Sequence, residues 1–384
     1  MRAQIEADPA RRLNNVAASL AALAIVPSIV VLGWRAAVVI AGVIAMSALL
    51  RRGMSQERLP RPKRWPPTWP LETLLLCGLL SADLAAGAND ANEMRWLIIP
   101  AAAILLVLAQ RTRQALPWPA FDPVIVAALL LHVALGPTLD PRGSLDRGAV
   151  VRGDILNAVD GPAPAEAWFQ RPRAEDAPGL RVPWAARQLD DYLSGRLAGD
   201  DRVRGSNLDS LIRDKLPPIE DLLLLGHPMP IGTCSGIALV GLVLWATYRR
   251  LIDWRVPLAA TVACYVALAL LPTPTSVSVE GRNWRAFPAI HVDVGVATAL
   301  TFVHYAIFAS PALFVFGFIA TRGDVRPLHG RAIIVWATAL GVATAAAMLY
   351  VSVIIGPLIA MLPAPLLARW ADRWLGRRPL ALPH

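Results

Sequence analysis

Long apolar runs separated by short basic segments set the pattern of the chain. They cover residues 16 to 34, 36 to 50, 71 to 88, 96 to 109, 120 to 137, 231 to 248, 256 to 272, 300 to 320, 332 to 349 and 351 to 367. A hydrocarbon core about 30 Å thick is crossed by roughly 20 helical residues, so the runs read as candidate spans, several of them short for a full crossing. The pattern predicts an all-α, polytopic helical membrane protein with about ten transmembrane helices. The stretch from 289 to 320 overshoots one crossing at about 1.5 Å per residue. Residues 289 to about 300 are therefore expected to be interfacial or re-entrant, with Pro311 kinking the span that follows. The first run lacks a small-residue cleavage site and is followed by further spans, which reads as a retained span.

One sizeable polar region interrupts the pattern, at 138–218. It divides the chain into an N-terminal membrane half of about five helices (1–137), the long loop (138–218), a C-terminal membrane half of about five helices (219–370) and a tail (371–384). Near-balanced charge and the prolines Pro162, Pro164, Pro172 and Pro178 predict irregular backbone in the loop, with at most a short helix from Trp184 to Leu197. Outside it, Lys and Arg fall 21 on one side of the membrane and four on the other, the four being Arg35, Arg95, Arg282 and Arg285. Basic residues stay in the cytoplasm, so this asymmetry places both termini there and the long loop outside, in a multi-pass protein of the inner (plasma) membrane.

Composition narrows the function classes. A chain 55% hydrophobic and 17% charged, with mean hydropathy +0.49, excludes a soluble enzyme. The net charge of +9 lies at the ends of apolar runs, which fits a lipid bilayer as partner and no nucleic acid. Cys77, Cys234 and Cys264 stand singly, without disulfide or thiolate-metal spacing. No phosphate-binding glycine loop, HExxH or GxSxG occurs, and no catalytic or metal-ligating set is expected.

The remaining signals cluster around span ends. Residues 226–241, GHPMPIGTCSGIALVG, place a proline-interrupted, glycine-rich turn at the mouth of a span. Gly232 and Gly236 suit close helix packing as well as ligand approach, and Thr233 and Ser235 could bond backbone freed by Pro228 and Pro230. Asp122 is ionisable at a span end, a functional signal in a membrane, yet it also suits the cap of a helix starting at Pro123. Asp83 and Asp122 look nearly alone as intramembrane carboxylates. His132 and His304 sit in apolar spans, where facing imidazoles can ligate haem iron or bond a neighbouring helix.

In order and spacing these landmarks resemble the family of the D subunit of Rnf electron-transport complexes and the B subunit of the Na+-translocating NADH:quinone reductase. Ile231-Gly232-Thr233-Cys234-Ser235 resembles the family's Gly-Ser-x-Gly-Glu-Thr/Ser span start, and Trp254-Arg255-Val256 its Trp-Arg-Ile. Gly33-Trp34-Arg35-Ala36 resembles its first hairpin. Phe121-Asp122-Pro123 stands where the family has Phe-Asn-Pro, Asp160-Gly161 where its flavin-attachment segment begins, and Ala320-Thr321 with Pro327 and Gly330-Arg331 resembles its Ala-Thr-Asp-Pro loop. The resemblance covers roughly residues 15 to 370. It implies a membrane subunit of an electron-transfer complex, at most part of a membrane oxidoreductase, with other membrane subunits as partners. A flavin site would then draw on Gly232, Thr233, Ser235, Asp160, Gly161, Phe121 and Asp122.

The departures qualify that expectation. The family esterifies a threonine in Asp-Gly-x-Ser-Gly-Ala-Thr to FMN, whereas this chain reads Asp160-Gly161-Pro162-Ala163-Pro164-Ala165-Glu166, with no hydroxyl. Covalent FMN is not expected, and any flavin would be noncovalent FMN or riboflavin. The family's Glu after the Ile-Gly pair is Thr233 here, and its loop Asp is Arg322. A scaffold subunit without a redox centre, an ion or solute transporter, and a b-type haem protein are the alternative readings.

Overall fold

The computed structural model describes residues 21, 23–26, 34–56, 69–80, 97–116, 121–139, 184–195, 206–212, 216, 219–223, 229–278, 281–288 and 294–375. Asp160, Gly161 and most of the long loop lie outside the described residues. The described chain is mostly helical. The N-terminal half holds α1 (Trp34–Gln56), α2 (Trp69–Gly78), α3 (Ile98–Ala115) and α4 (Pro123–Leu139). The loop contributes α5 (Ala185–Leu193). The C-terminal half holds α6 (Gly236–Tyr248), α7 (Arg255–Leu270), α8 (Val296–Ala309), α9 (Ala312–Ile319), α10 (Gly330–Tyr350), α11 (Gly356–Met361) and α12 (Ala364–Leu375).

The helices turn apolar side chains outward as well as inward. Val133, Leu244 and Leu49 are 72%, 63% and 60% exposed, and α1, α6, α7 and α10 carry further exposed leucine, isoleucine and valine. Exposed hydrocarbon along helix faces on this scale is compatible with a surface that meets lipid. By length and composition two described helices can cross a membrane, within Ala36–Gly53 and Gly330–Tyr350. The α8–α9 pair, bent by 61°, is a third if taken as one broken span. Among the described residues the other apolar runs form shorter or interrupted helices. In the run expected at 71–88 the helix ends at Gly78 and residues 81–88 lie outside the described residues; the last expected span is two helices, because Pro363 offers no N–H to continue the ladder from α11 into α12.

Two expectations hold locally. The loop helix forms at Ala185–Leu193, within the stretch read for it, and the chain breaks at Ser310-Pro311, where Ser310 is extended (φ −92°, ψ 165°). One expectation is corrected: the fold is not purely α. Strands β1 (Ser206–Asn207), β2 (Thr273–Ser278) and β3 (Gly281–Arg285) form an antiparallel sheet in that order, with Ser206 opposite Val277 and Ser278 opposite Gly281. The signal was present in Thr273-Pro274-Thr275-Ser276-Val277-Ser278, rich in β-branched residues and followed by a glycine at φ 146°.

Packing is closest between α7 and α10. A Cβ at Gly341 would lie 2.3 Å from the Ala260 carbonyl oxygen and 2.9 Å from Ala263 Cβ, so the two backbones meet there without a side chain between them. Small residues allow this approach, which is how helices associate where lipid removes the hydrophobic drive between them.

Candidate functional site

A buried charge network joins the two halves of the chain. Asp122 precedes Pro123 at the start of α4, and its Oδ1 accepts hydrogen bonds from the N–H groups of Val124 at 2.8 Å and Ile125 at 3.3 Å. That is the helix cap the sequence allowed for. Its other oxygen, Oδ2, accepts from the Arg322 guanidinium at 2.7 Å, across 200 residues of sequence. Arg322 lies after the π-helical turn Val315–Ile319 that ends α9, and it is 1% exposed. Its second terminal nitrogen reaches Glu72 Oε1 and Asp324 Oδ2, each at 3.2 Å.

The network extends through the first turn of α2 to the ends of α1 and α3. Gln110 Nε2 donates to Glu72 Oε2, and Arg51 donates to Gln110 Oε1 while its guanidinium lies 4.2 Å above the Trp69 ring. Arg113 donates to Asp324 Oδ2 at 2.5 Å. Three arginines and three carboxylates thus balance, and Arg51, Glu72, Gln110, Asp122 and Arg322 are all buried. Burial alone would push the Asp324 carboxyl up, but Arg322 and Arg113 beside it hold it below its ordinary value. For Arg322 burial works against the charge, and Asp122, Asp324 and Glu72 together raise its affinity for its proton. Arg113, Arg322, Glu72, Asp122 and Asp324 each face an opposite charge, and Arg51 joins them through Gln110, so that burial of the charges is offset by their pairing. The set is suited to holding five segments in register; it offers no unpaired base or nucleophile for acid–base chemistry.

A second feature lies at the other end of α2, about 9 Å along its axis from Glu72. The Ile231 N–H donates to the Leu80 carbonyl at 2.8 Å, joining the end of α2 to the 3-10 turn Ile231–Thr233. Gly232 sits where a Cβ would come within 2.6 Å of the Phe314 ring and 2.7 Å of the Gly78 carbonyl oxygen. The Thr233 hydroxyl donates to the Pro230 carbonyl. The Ser235 hydroxyl donates to the Leu223 carbonyl and accepts from Ala238 N–H, capping α6. The break between α8 and α9 is sealed in a similar manner. Trp184, at the start of α5 and 1% exposed, donates its indole N–H to the Ala309 carbonyl at 2.8 Å, and the Ser310 hydroxyl donates to the Ile307 carbonyl. Broken helices leave carbonyls that lipid cannot satisfy, and here side chains from another segment and from the break itself satisfy them.

The structure therefore divides the sequence-derived candidates. Gly232, Thr233 and Ser235 gather at the junction of broken helices. Asp122, with Phe121 beside it, belongs to the charge network. Asp160 and Gly161 lie outside the described residues. Sequence reasoning missed Glu72, Gln110, Arg51, Arg113 and Asp324, and Asp122 is not nearly alone: Glu72 shares Arg322 with it. The available signal was Glu72 itself, an acid in the first turn of an apolar helix. His132 and His304 each bond through Nδ1 to the carbonyl four residues back, and His304 packs edge-on against Tyr265. Among the described residues, no group of three His, Cys, Asp or Glu is placed to hold a metal ion. No protein-family model and no curated protein matches the chain.

Proposed function

We propose that this chain is a ten-span inner-membrane subunit of an electron-transfer assembly, a divergent relative of the Rnf D and Nqr B subunits that holds its complex together. The observation that carries the reading is the Asp122–Arg322 pair. Both positions are departures from the family pattern, Asp for Asn in the first motif and Arg for Asp in the loop motif. Their exchanges are complementary in charge and the two side chains touch. Independent loss of two motifs would not produce a matched pair, whereas substitution within a shared fold that already joined those positions would.

The same reading accounts for the charge distribution. Arg51, Glu72, Arg113, Asp122, Arg322 and Asp324 all fall at span ends that the positive-inside count assigns to the cytoplasm. Exposed Tyr248, Trp254, Trp370 and Trp374 mark that boundary, and Trp284, Phe287 and Tyr350 the opposite one, as aromatic belts do. The end of the short helix α2 and the turn that leads into α6 then meet partway across, as in proteins whose spans are interrupted.

Residues 231–235 do not fit a flavin. Phe314 and the Gly78 carbonyl fill the space beside Gly232, and the hydroxyl protons of Thr233 and Ser235 are both given to carbonyls of the chain. The scaffold role follows, with redox groups on partner subunits. The test is to purify the tagged chain from its native membranes in mild detergent. Membrane and redox subunits should copurify, with flavin or iron–sulfur absorbance that stays with the partners when the chain is separated on a denaturing gel. A chain that purifies alone and moves a solute by itself in proteoliposomes would refute the proposal.

A further inference from the structure

A groove on the lipid-facing side of the C-terminal half carries a separate inference. It is a cavity of about 360 Å³ between α6, α7 and α9, walled by Leu239, Val243, Leu244, Leu258, Phe316 and Gly317. Its lining is almost wholly hydrocarbon, within the size range of small-molecule sites. One end is defined by Thr247 and Trp254, and there the character changes. The turn between α6 and α7 reads Arg249-Arg250-Leu251-Ile252-Asp253-Trp254-Arg255, three arginines against one acid. That acid is engaged already, since Asp253 Oδ2 accepts from Arg326 at 3.0 Å and Oδ1 from the Arg255 N–H at 3.1 Å.

The backbone of the turn adds an independent point. Arg250 N–H bonds to the Thr247 carbonyl and Leu251 N–H to the Ala246 carbonyl, a left-handed helix cap with Arg250 at φ 56°. Glycine is the usual residue there, because a side chain strains that conformation. The chain instead places an exposed guanidinium at this position, next to exposed Arg249. Strain of this kind is retained where the side chain has a use.

We propose that this groove is a binding site for an anionic phospholipid, with one acyl chain along α6, α7 and α9, the phosphate on Arg249 and Arg250, and Trp254 at headgroup depth. The charge at the mouth selects an anionic headgroup, and the apolar walls select a chain. A tryptophan between them is the residue found where one end of a contact is wet and the other is not.

The probe is phosphatidylglycerol against phosphatidylcholine of the same acyl chains. Each is titrated into the full chain, purified and delipidated in detergent, with thermal unfolding as readout. Phosphatidylglycerol should half-saturate its stabilising effect at a concentration roughly 10- to 30-fold lower, the factor expected of two basic residues at a membrane surface. Arg249→Gln with Arg250→Gly should bring the two lipids level without lowering stability in phosphatidylcholine, since glycine suits the cap. Leu244→Trp, at an exposed wall position, should remove the phosphatidylglycerol preference by occupying the groove. Equal responses to the two lipids in the unaltered chain, or a preference that survives the arginine substitutions, would overturn the site. So would the same shift from soluble glycerol phosphate, which would make it an ion site, or a quinone or partner segment recovered from the groove. None of these results bears on the copurification that tests the proposed function.

Discussion

Removing both members of the Asp122–Arg322 pair should destabilise the chain less than the sum of the two single removals. Arg322 is enclosed by Asp122 at 2.7 Å and by Glu72 and Asp324 at 3.2 Å. Arg322→Met leaves two buried carboxylates facing a methyl thioether. Breaking a buried ion pair by deleting one partner costs about 3–5 kcal/mol, because the remaining charge keeps its desolvation without its compensation. Asp122→Asn is milder. Asparagine retains an oxygen for the N–H groups of Val124 and Ile125, and only the charge-assisted bond to Arg322 is lost, about 1.5–3 kcal/mol. In the double variant the uncharged asparagine no longer needs a cation, so the combined loss should fall short of the sum by about 1.5–3 kcal/mol.

The assay is equilibrium unfolding of the purified chain in mixed micelles, followed by the fluorescence of its 13 tryptophans. If Arg322→Met does not accumulate, recovery of accumulation in the double variant reads the same coupling. Losses that add within about 0.5 kcal/mol would show the two side chains to be energetically independent, and would remove the pairing on which the proposed function rests.

Three other outcomes are expected. Burial pushes the Asp190 carboxyl up to about 6 despite its bonds from Ser352 and Val353, so the folded chain holds a proton that the unfolded chain releases. This contribution falls as pH rises from about 4 to about 6 and is level above, by about 3 kcal/mol in all; Asp190→Asn should lose that slope in a pH series of unfolding curves, and an unchanged slope would refute the assignment. Gly341→Ala should separate α7 from α10 and sharply lower accumulation. Gly241→Ala, with nothing within 4 Å, should be neutral or gain up to about 1 kcal/mol; comparable accumulation of the two variants would contradict the packing. Trp184→Phe leaves the buried Ala309 carbonyl without its indole donor and should cost about 1–3 kcal/mol, measured by the same micellar unfolding, with no loss counting against the contact.

Hydropathy made legible the apolar helices, and proline the break at Pro311; most of the polar loop lies outside the described residues. Helix length within a run was not legible, because residues after Gly78 are as apolar as those before it while the chain turns aside to meet Ile231. The short hairpin at β2 and β3 was passed over because its residues read as loop once spans had been assigned. The cap at Asp122 was legible from Asp-Pro alone, since capping is a local matter. Its partnership with Arg322 was not, because a residue read as a departure from a motif gives no hint of where its side chain goes. Glu72, Gln110 and Arg51 were hidden for a related reason. Each lies at the edge of an apolar run, where a charged residue is ordinarily taken to mark the boundary.

That boundary placement has a consequence for the assembly of the two halves. Helices in lipid gain little from hydrophobic contact with one another, so a long loop between two sets of apolar helices leaves their relative position weakly specified. A balanced network specifies it, because any displacement of the Arg322 loop leaves Asp122 and Glu72 buried without their cation. Elsewhere in the fold, three side chains tie α5 to the C-terminal half: Trp184 donates to the Ala309 carbonyl, Asp190 accepts from Ser352 and Val353, and Tyr192 donates to the Pro274 carbonyl. The loop helix that follows the N-terminal half is thereby fixed to the C-terminal one. The Arg322 network and the bonds of α5, together with the close approach of α7 and α10 at Gly341, fix a geometry that apolar side chains alone would leave free to slide.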